Sequence, residues 1–121
     1  TIEKIGHRVM TKATTVNTAK KYTNSSTLKS RRGIVKRDKR WIAESDYVVQ
    51  EVSQYSHGVG YEQAWAESQN KPVLLLRHRN LEGQKYSAFL DGTDYKKFMF
   101  SFYDENDINE ILNKFVKKYL K

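Results

Sequence analysis

Residues 46–77 read DYVVQEVSQYSHGVGYEQAWAESQNKPVLLLR, and this stretch decides the fold. Asp46 to Val52 has the apolar, β-branched content of a short strand, and Ser53 to Val59 then reads as a loop. A helix is expected from about Gly60 to Asn70. Pro72 to Arg77 follows as an unbroken apolar run, with the length and composition of a parallel strand buried on both faces. Strand, helix and strand in this order form a unit whose two strands lie side by side and parallel.

Toward the C-terminus, Leu81 to Gly92 reads as a connection with a short helical turn near Ser87, and Lys97 to Tyr103 as a further strand. Asn106 to Leu120 is the clearest helix. Ile108, Ile111, Leu112, Phe115, Val116 and Tyr119 fall on one stripe of it, and Lys117, Lys118 and Lys121 sit at its C-terminal end, where they suit the helix dipole. Toward the N-terminus, Ile34, Val35, Trp41 and Ile42 predict a helix over Ile34 to Glu44. Lys12 to Arg32, rich in Thr, Asn, Ser and Lys, reads as a long mobile loop. The opening TIEKIGHRV reads as the last turn of a helix stopped at Gly6, followed by a strand from His7 to Thr11. The chain does not begin with Met, so an N-terminal part is expected to precede it. The alternation predicts an α/β domain over 1–121: an open, mostly parallel sheet with helices on both faces, of the flavodoxin or Rossmann three-layer kind. Ligands bind such sheets beyond the C-terminal ends of the strands, and the loop after Val52 opens at that edge.

The 121 residues contain no cysteine, which excludes disulfides, thiolate metal sites and a cysteine nucleophile. No apolar run reaches the roughly 18–20 residues needed to cross a bilayer, so neither membrane insertion nor a leader peptide is expected and the protein is placed in the cytoplasm. The net charge is +8, and Lys20 to Arg40 carries nine Lys or Arg against one acid, Asp38. This basic segment is either a solvated loop or a surface for an anionic partner, whether a phosphate-bearing small molecule or a nucleic acid. No nucleic-acid-binding motif accompanies the charge, which makes a nucleic-acid module the distant alternative. His7, His57 and His78 have no metal-ligand spacing, so neither a metal nor another cofactor is implied. Trp41, Trp65 and Tyr61 could stack on a base or belong to the core.

Two carboxyls and a glycine turn carry the chemistry. Ser56, Gly58 and Gly60 lie where a strand passes into a helix, where free backbone N–H groups and the helix dipole favour an anion and glycine permits close approach. The same pattern occurs wherever a tight turn is needed. Glu62 is expected in the first helical turn, with its ionised carboxylate favoured by the dipole; it is either a nucleophile at the substrate edge or an ordinary helix-start acid. Asp38 lies four residues from Ile34 and Ile42 and three from Trp41, on the apolar face of its helix. It is either a proton donor or a carboxylate paired with Arg37 or Arg40. One carboxyl to attack and one to protonate a leaving group is what glycoside hydrolysis requires.

Residues 37–62, RDKRWIAESDYVVQEVSQYSHGVGYE, resemble the nucleoside 2-deoxyribosyltransferase superfamily and within it the 2′-deoxynucleoside 5′-phosphate N-hydrolases. The resemblance rests on Asp38 followed by Trp41, on Glu51, on Val52-Ser53-Gln54 and on GVGYE, and continues through KPVLLLR and YSAFLDG to Gly92. It implies that Glu62 is the nucleophile forming a covalent deoxyribosyl enzyme, that Asp38 assists departure of the base, and that Ser56 with the Gly58 to Gly60 backbone binds phosphate. It also implies a homodimer in which Ser87 reaches the 5′-phosphate in the neighbouring subunit's site. The implied reaction hydrolyses a (deoxy)nucleoside 5′-monophosphate to base and (deoxy)ribose 5-phosphate without a cofactor; base exchange on nucleosides by a deoxyribosyltransferase is the alternative. Tyr55 stands where the family often has proline, and His57 where it often has an apolar residue. The family's first strand and its Gly-Ser-x-Arg loop are not found in these residues.

Overall fold

The computed structural model describes residues 28–120. The strand expected at His7 to Thr11 and most of the loop expected at Lys12 to Arg32 lie outside them. The described residues divide into two compact units, 28–45 and 46–120.

In the first unit, α1 spans Leu28–Glu44. It starts six residues earlier than the apolar spacing predicts, because Leu28, Lys29, Arg31 and Arg32 are strong helix formers even though they add nothing to an apolar stripe. The end of the expected loop is therefore helical. The guanidinium of Arg37 stacks 4.5 Å over the Trp41 ring. The Ser45 hydroxyl donates to the Trp41 carbonyl, satisfying one of the carbonyls left open at the helix end.

In the second unit, β1 (Val48–Glu51), β2 (Val73–His78) and β3 (Phe98–Tyr103) form a parallel sheet in the order β1-β2-β3. Val48 pairs with Val73, which pairs with Phe98. Between the first two strands runs α2 (His57–Ser68), and α3 (Ile108–Tyr119) follows the third. Successive strand residues point to opposite faces. Val73, Leu74 and Leu75 are all fully buried, so both faces of β2 are covered. One face carries α2, fixed where the Gln50 side chain donates to the Val59 carbonyl at 3.1 Å. The other carries α3: Tyr47, opposite in alternation to Gln50, meets Phe115 edge-on at 5.6 Å. Burying Leu112 and Phe115 stabilises this layer by about 1.5–3 kcal/mol for each side chain. The expected open parallel sheet with helices on both faces is the fold observed.

At the end of α2 the chain reverses through Asn70, whose φ of 59° lies in the left-handed region that asparagine tolerates. The Lys71 N–H then bonds back to the Ala66 carbonyl at 3.0 Å. This closure delivers buried Pro72 to the start of β2.

Candidate functional site

Helix α2 begins at His57, three residues before the expected Gly60. Ser56 is its N-cap: the hydroxyl accepts from the Val59 N–H at 3.3 Å, and the Ser56 carbonyl accepts from the Gly60 N–H at 3.2 Å. The amides of His57 and Gly58 stay outside this ladder, as the first N–H groups of any helix do. Gly58 and Gly60 are thus helical residues and not a loop. Neither has a positive φ. A Cβ on Gly60 would meet nothing within 4 Å, and one on Gly58 only the Ser56 Oγ at 3.9 Å. Glycine inside a helix costs roughly 0.5–1 kcal/mol relative to alanine. The fold does not require that cost here, so the open space beside both residues is available to something outside the chain.

Because the helix starts early, Glu62 falls in its second turn, not its first, and the first turn holds no acid. The dipole argument for its ionisation is correspondingly weaker, since the effect falls off within the first turn. Glu62 is half-buried.

A cleft of about 900 Å³ opens between α2 and the segment from Ser87 to Asp94. Ser56, Gly60 and Ser87 line it; Glu62 and Gly58 do not. At about 100° per residue, Gly60, Gln63, Ala64 and Glu67 share the cleft side of α2 and Glu62 points to the other side. Ser56 lies at the end of the helix, so its hydroxyl and the first-turn amides border both sides.

The far wall is held in place by contacts that the sequence does not announce. Buried Gln63 reaches across from α2 and donates to the Phe89 carbonyl at 3.3 Å. Ser87 caps a 3-10 turn, Ala88–Leu90, its hydroxyl accepting from the Phe89 N–H at 3.2 Å. That turn is the one expected near Ser87. Gly92 closes it with an N–H bond to the Ala88 carbonyl at 2.8 Å, and a Cβ there would lie 2.6 Å from the same oxygen. Only glycine fits. Tyr55, Tyr61 and Phe89 line the cleft and are exposed.

Arg77, one residue before the end of β2, is by sequence only the last residue of an apolar run. It is 5% exposed and lines the cleft. Its Nη1 donates to the Val52 and Ser53 carbonyls at 3.2 and 3.3 Å, and its guanidinium lies 5.4 Å from the centre of the Tyr86 ring. The signal for it was a cation inside a run destined for burial.

Asp38 lies in the other unit. Its Oδ1 accepts from Arg37 Nε at 3.2 Å and from Nη2 at 3.1 Å. This is the ion-paired alternative, with Arg37 as the partner. Among the described residues there is no group of side chains suited to holding a metal ion, and no helix is long and apolar enough to cross a membrane.

No protein-family profile matches the chain. Individual curated proteins do. The chain is 41% identical over 80 residues to a 5-hydroxymethyl-dUMP N-hydrolase of Branchiostoma floridae, covering 65% of this chain and 75% of that protein. To the Mus musculus protein of the same name it is 38% identical over 88 residues, covering 72% of this chain and 50% of the relative. A Syntrophotalea carbinolica protein, provisionally named a 2′-deoxynucleoside 5′-phosphate N-hydrolase, is 53% identical over 55 residues, or 46% of this chain and 39% of the relative. The chain thus spans about half or less of the length of these last two proteins.

Proposed function

The chain belongs to the 2′-deoxynucleoside 5′-phosphate N-hydrolase family, and from that premise we propose that it takes part in hydrolysing the N-glycosidic bond of (2′-deoxy)nucleoside 5′-monophosphates, releasing the free base and (deoxy)ribose 5-phosphate. The observation that carries this reading is the 41% identity to the Branchiostoma floridae protein, whose name states that reaction for 5-hydroxymethyl-dUMP. The two glycines at the start of α2 support it: they leave space beside helix amides, which suits a phosphate.

In the proposed reaction a Glu62 carboxylate oxygen bonds to C1′ as the C1′–N bond breaks. The electron pair leaves with the base, which takes a proton from Asp38. Water then attacks C1′, displacing the carboxylate of Glu62 and giving up its proton to Asp38, so configuration is retained overall. Ser56 and the amides at the start of α2 hold the 5′-phosphate. Ser87 lines a cleft that does not include Glu62 of its own chain, which fits the proposal that it serves the neighbouring subunit of a homodimer. Solution in the cytoplasm, without metal or organic cofactor, completes the proposal.

The test is incubation of the full-length protein with 2′-deoxynucleoside 5′-monophosphates, followed by chromatography for free base and deoxyribose 5-phosphate. Release by the wild type and none by Glu62→Gln is the expected result. Equal release by both, or by neither, overturns the proposal. Base exchange on unphosphorylated nucleosides would assign the chain to the transferases instead.

A further inference from the structure

We propose that Arg77 is an anion-binding residue of the cleft, its Nη2 holding the phosphate group of a phosphomonoester against the start of α2. The inference rests on the reading above that a phosphate is bound there, and adds a cation that the family resemblance did not supply.

A buried guanidinium carries a full charge out of water, which is costly unless an anion or several acceptors compensate it. Arg77 is 95% withdrawn from solvent, yet no carboxylate pairs with it among the described residues. Its two protein hydrogen bonds both use Nη1 and both go to neutral carbonyls. Nε has no partner and is sealed from solvent. Nη2 is the remaining nitrogen: it makes no hydrogen bond to the described residues, it is absent from the sealed unsatisfied atoms, and its residue lines the cleft. The charge is therefore left open on the cleft side.

The cleft is also polarised along its length. Arg77 grips the Val52 and Ser53 carbonyls, next to the turn that leads into Ser56 and the open amides of α2. The acids that line the cleft are Glu67 and Asp94. Glu67 lies eleven residues beyond Ser56, roughly 16 Å further along the helix. Glu67 is joined to the Asp94 side through the Thr93 hydroxyl at 3.5 Å. A dianion is drawn to the Arg77 end and repelled from the other. Guanidinium, helix amides and hydroxyls together are a usual phosphate cradle.

The test uses the full-length protein and binding, not turnover. Isothermal titration with inorganic phosphate, with deoxyribose 5-phosphate and with unphosphorylated deoxyribose is compared for wild type, Arg77→Gln and Arg77→Lys. Wild type is expected to bind both phosphates and not the free sugar. Arg77→Gln should lose roughly ten- to a hundredfold in affinity, the worth of a charge-assisted hydrogen bond, and Arg77→Lys less. A melting curve without phosphate verifies that each variant is folded, and Gln50→Leu, which loosens the attachment of α2 to the sheet without touching the charge, controls for general loosening. Unchanged phosphate affinity in a folded Arg77→Gln would overturn the proposal and leave Arg77 as a clamp on the Val52–Ser53 turn. Arg77-dependent phosphate binding without any base release from nucleotides would keep this inference and sink the hydrolase reading.

Discussion

On the α3 side of the sheet's C-terminal edge, Glu51 accepts hydrogen bonds from the Tyr103 hydroxyl, the Ser53 N–H at 2.6 Å and the Ser53 hydroxyl at 2.8 Å. The Ser53 hydroxyl accepts in turn from the His78 N–H, and the His78 ring meets both Tyr103 and Glu105. On the α2 side, Arg77 leaves Nη2 without a hydrogen bond to the described residues, Gly60 leaves empty space, and the amides of His57 and Gly58 lie outside the helical ladder. The two sides are neighbours on the same strands, since Glu51 precedes Val52 and Arg77 precedes His78. A polar cluster that satisfies itself is part of the scaffold, whereas one that stays open on a cleft is prepared for a ligand. Glu51 shows the closed case in its acidity. Burial pushes its pKa up, but the hydrogen bonds from Tyr103 and Ser53 outweigh burial and hold it below the ordinary 4.5.

Four substitutions can break or sharpen this contrast. The largest effect is expected from Glu62→Gln, which should lower the rate of base release on the order of a thousandfold or more, as measured by single-turnover kinetics, with calorimetry verifying that the variant is folded. Next is Gly92→Ala, which drives a methyl to 2.6 Å from the Ala88 carbonyl oxygen. It should cost about 1–3 kcal/mol in urea denaturation and weaken ligand binding along with stability, because it displaces a cleft wall.

Gly60→Ala should do the reverse. It should stabilise the protein by about 0.5–1 kcal/mol, since helix propensity improves and the methyl meets nothing, while phosphate affinity falls. A gain in stability with unchanged affinity would remove the argument that this space is kept for a ligand. The smallest effect on function is expected from Tyr103→Phe on the closed side, which should cost about 0.5–1.5 kcal/mol of stability with no change in nucleotide binding. Its pH dependence is the more telling readout. Burial first, and then the bond to Glu51, push the Tyr103 pKa up to about 12, so its contribution is full below 10.0 and is lost as pH rises through about 12. The contribution of Glu51 is full above 4.5 and is lost as pH falls through its lower folded value. In melting temperatures followed across pH, Tyr103→Phe should reduce the alkaline loss, leaving the share of the other tyrosines whose pKa is raised, Tyr47, Tyr86 and Tyr95, and should move the acid loss upward.

The sheet was legible because its strands are apolar runs whose meaning does not depend on context. Val73 to Arg77 and Phe98 to Tyr103 were placed within a residue, and the stripe of Leu112 and Phe115 identified α3. Helix starts were less legible. His57-Gly58-Val59-Gly60 has low helix propensity, and only the cap made by Ser56 explains why α2 begins there; α1 begins in a polar stretch without an apolar stripe. Of the site residues, Ser56, Gly60 and Ser87 do line one cleft, but the turn of α2 that holds Glu62 depended on where the helix begins. Gln50, Gln63 and Gly92 could not be found from the sequence, because each acts through a backbone group distant in the chain or through a steric contact that exists only once the turn has formed.

The most direct measurement compares base release by the full-length protein from a 2′-deoxynucleoside 5′-monophosphate and from the same nucleoside without its phosphate, at equal concentrations. The open polar groups at the start of α2, together with Arg77, predict release from the nucleotide at least about a hundredfold faster, the worth of two or more charge-assisted hydrogen bonds to the phosphate. Equal rates on the two substrates, or release from the nucleoside alone, would contradict the account.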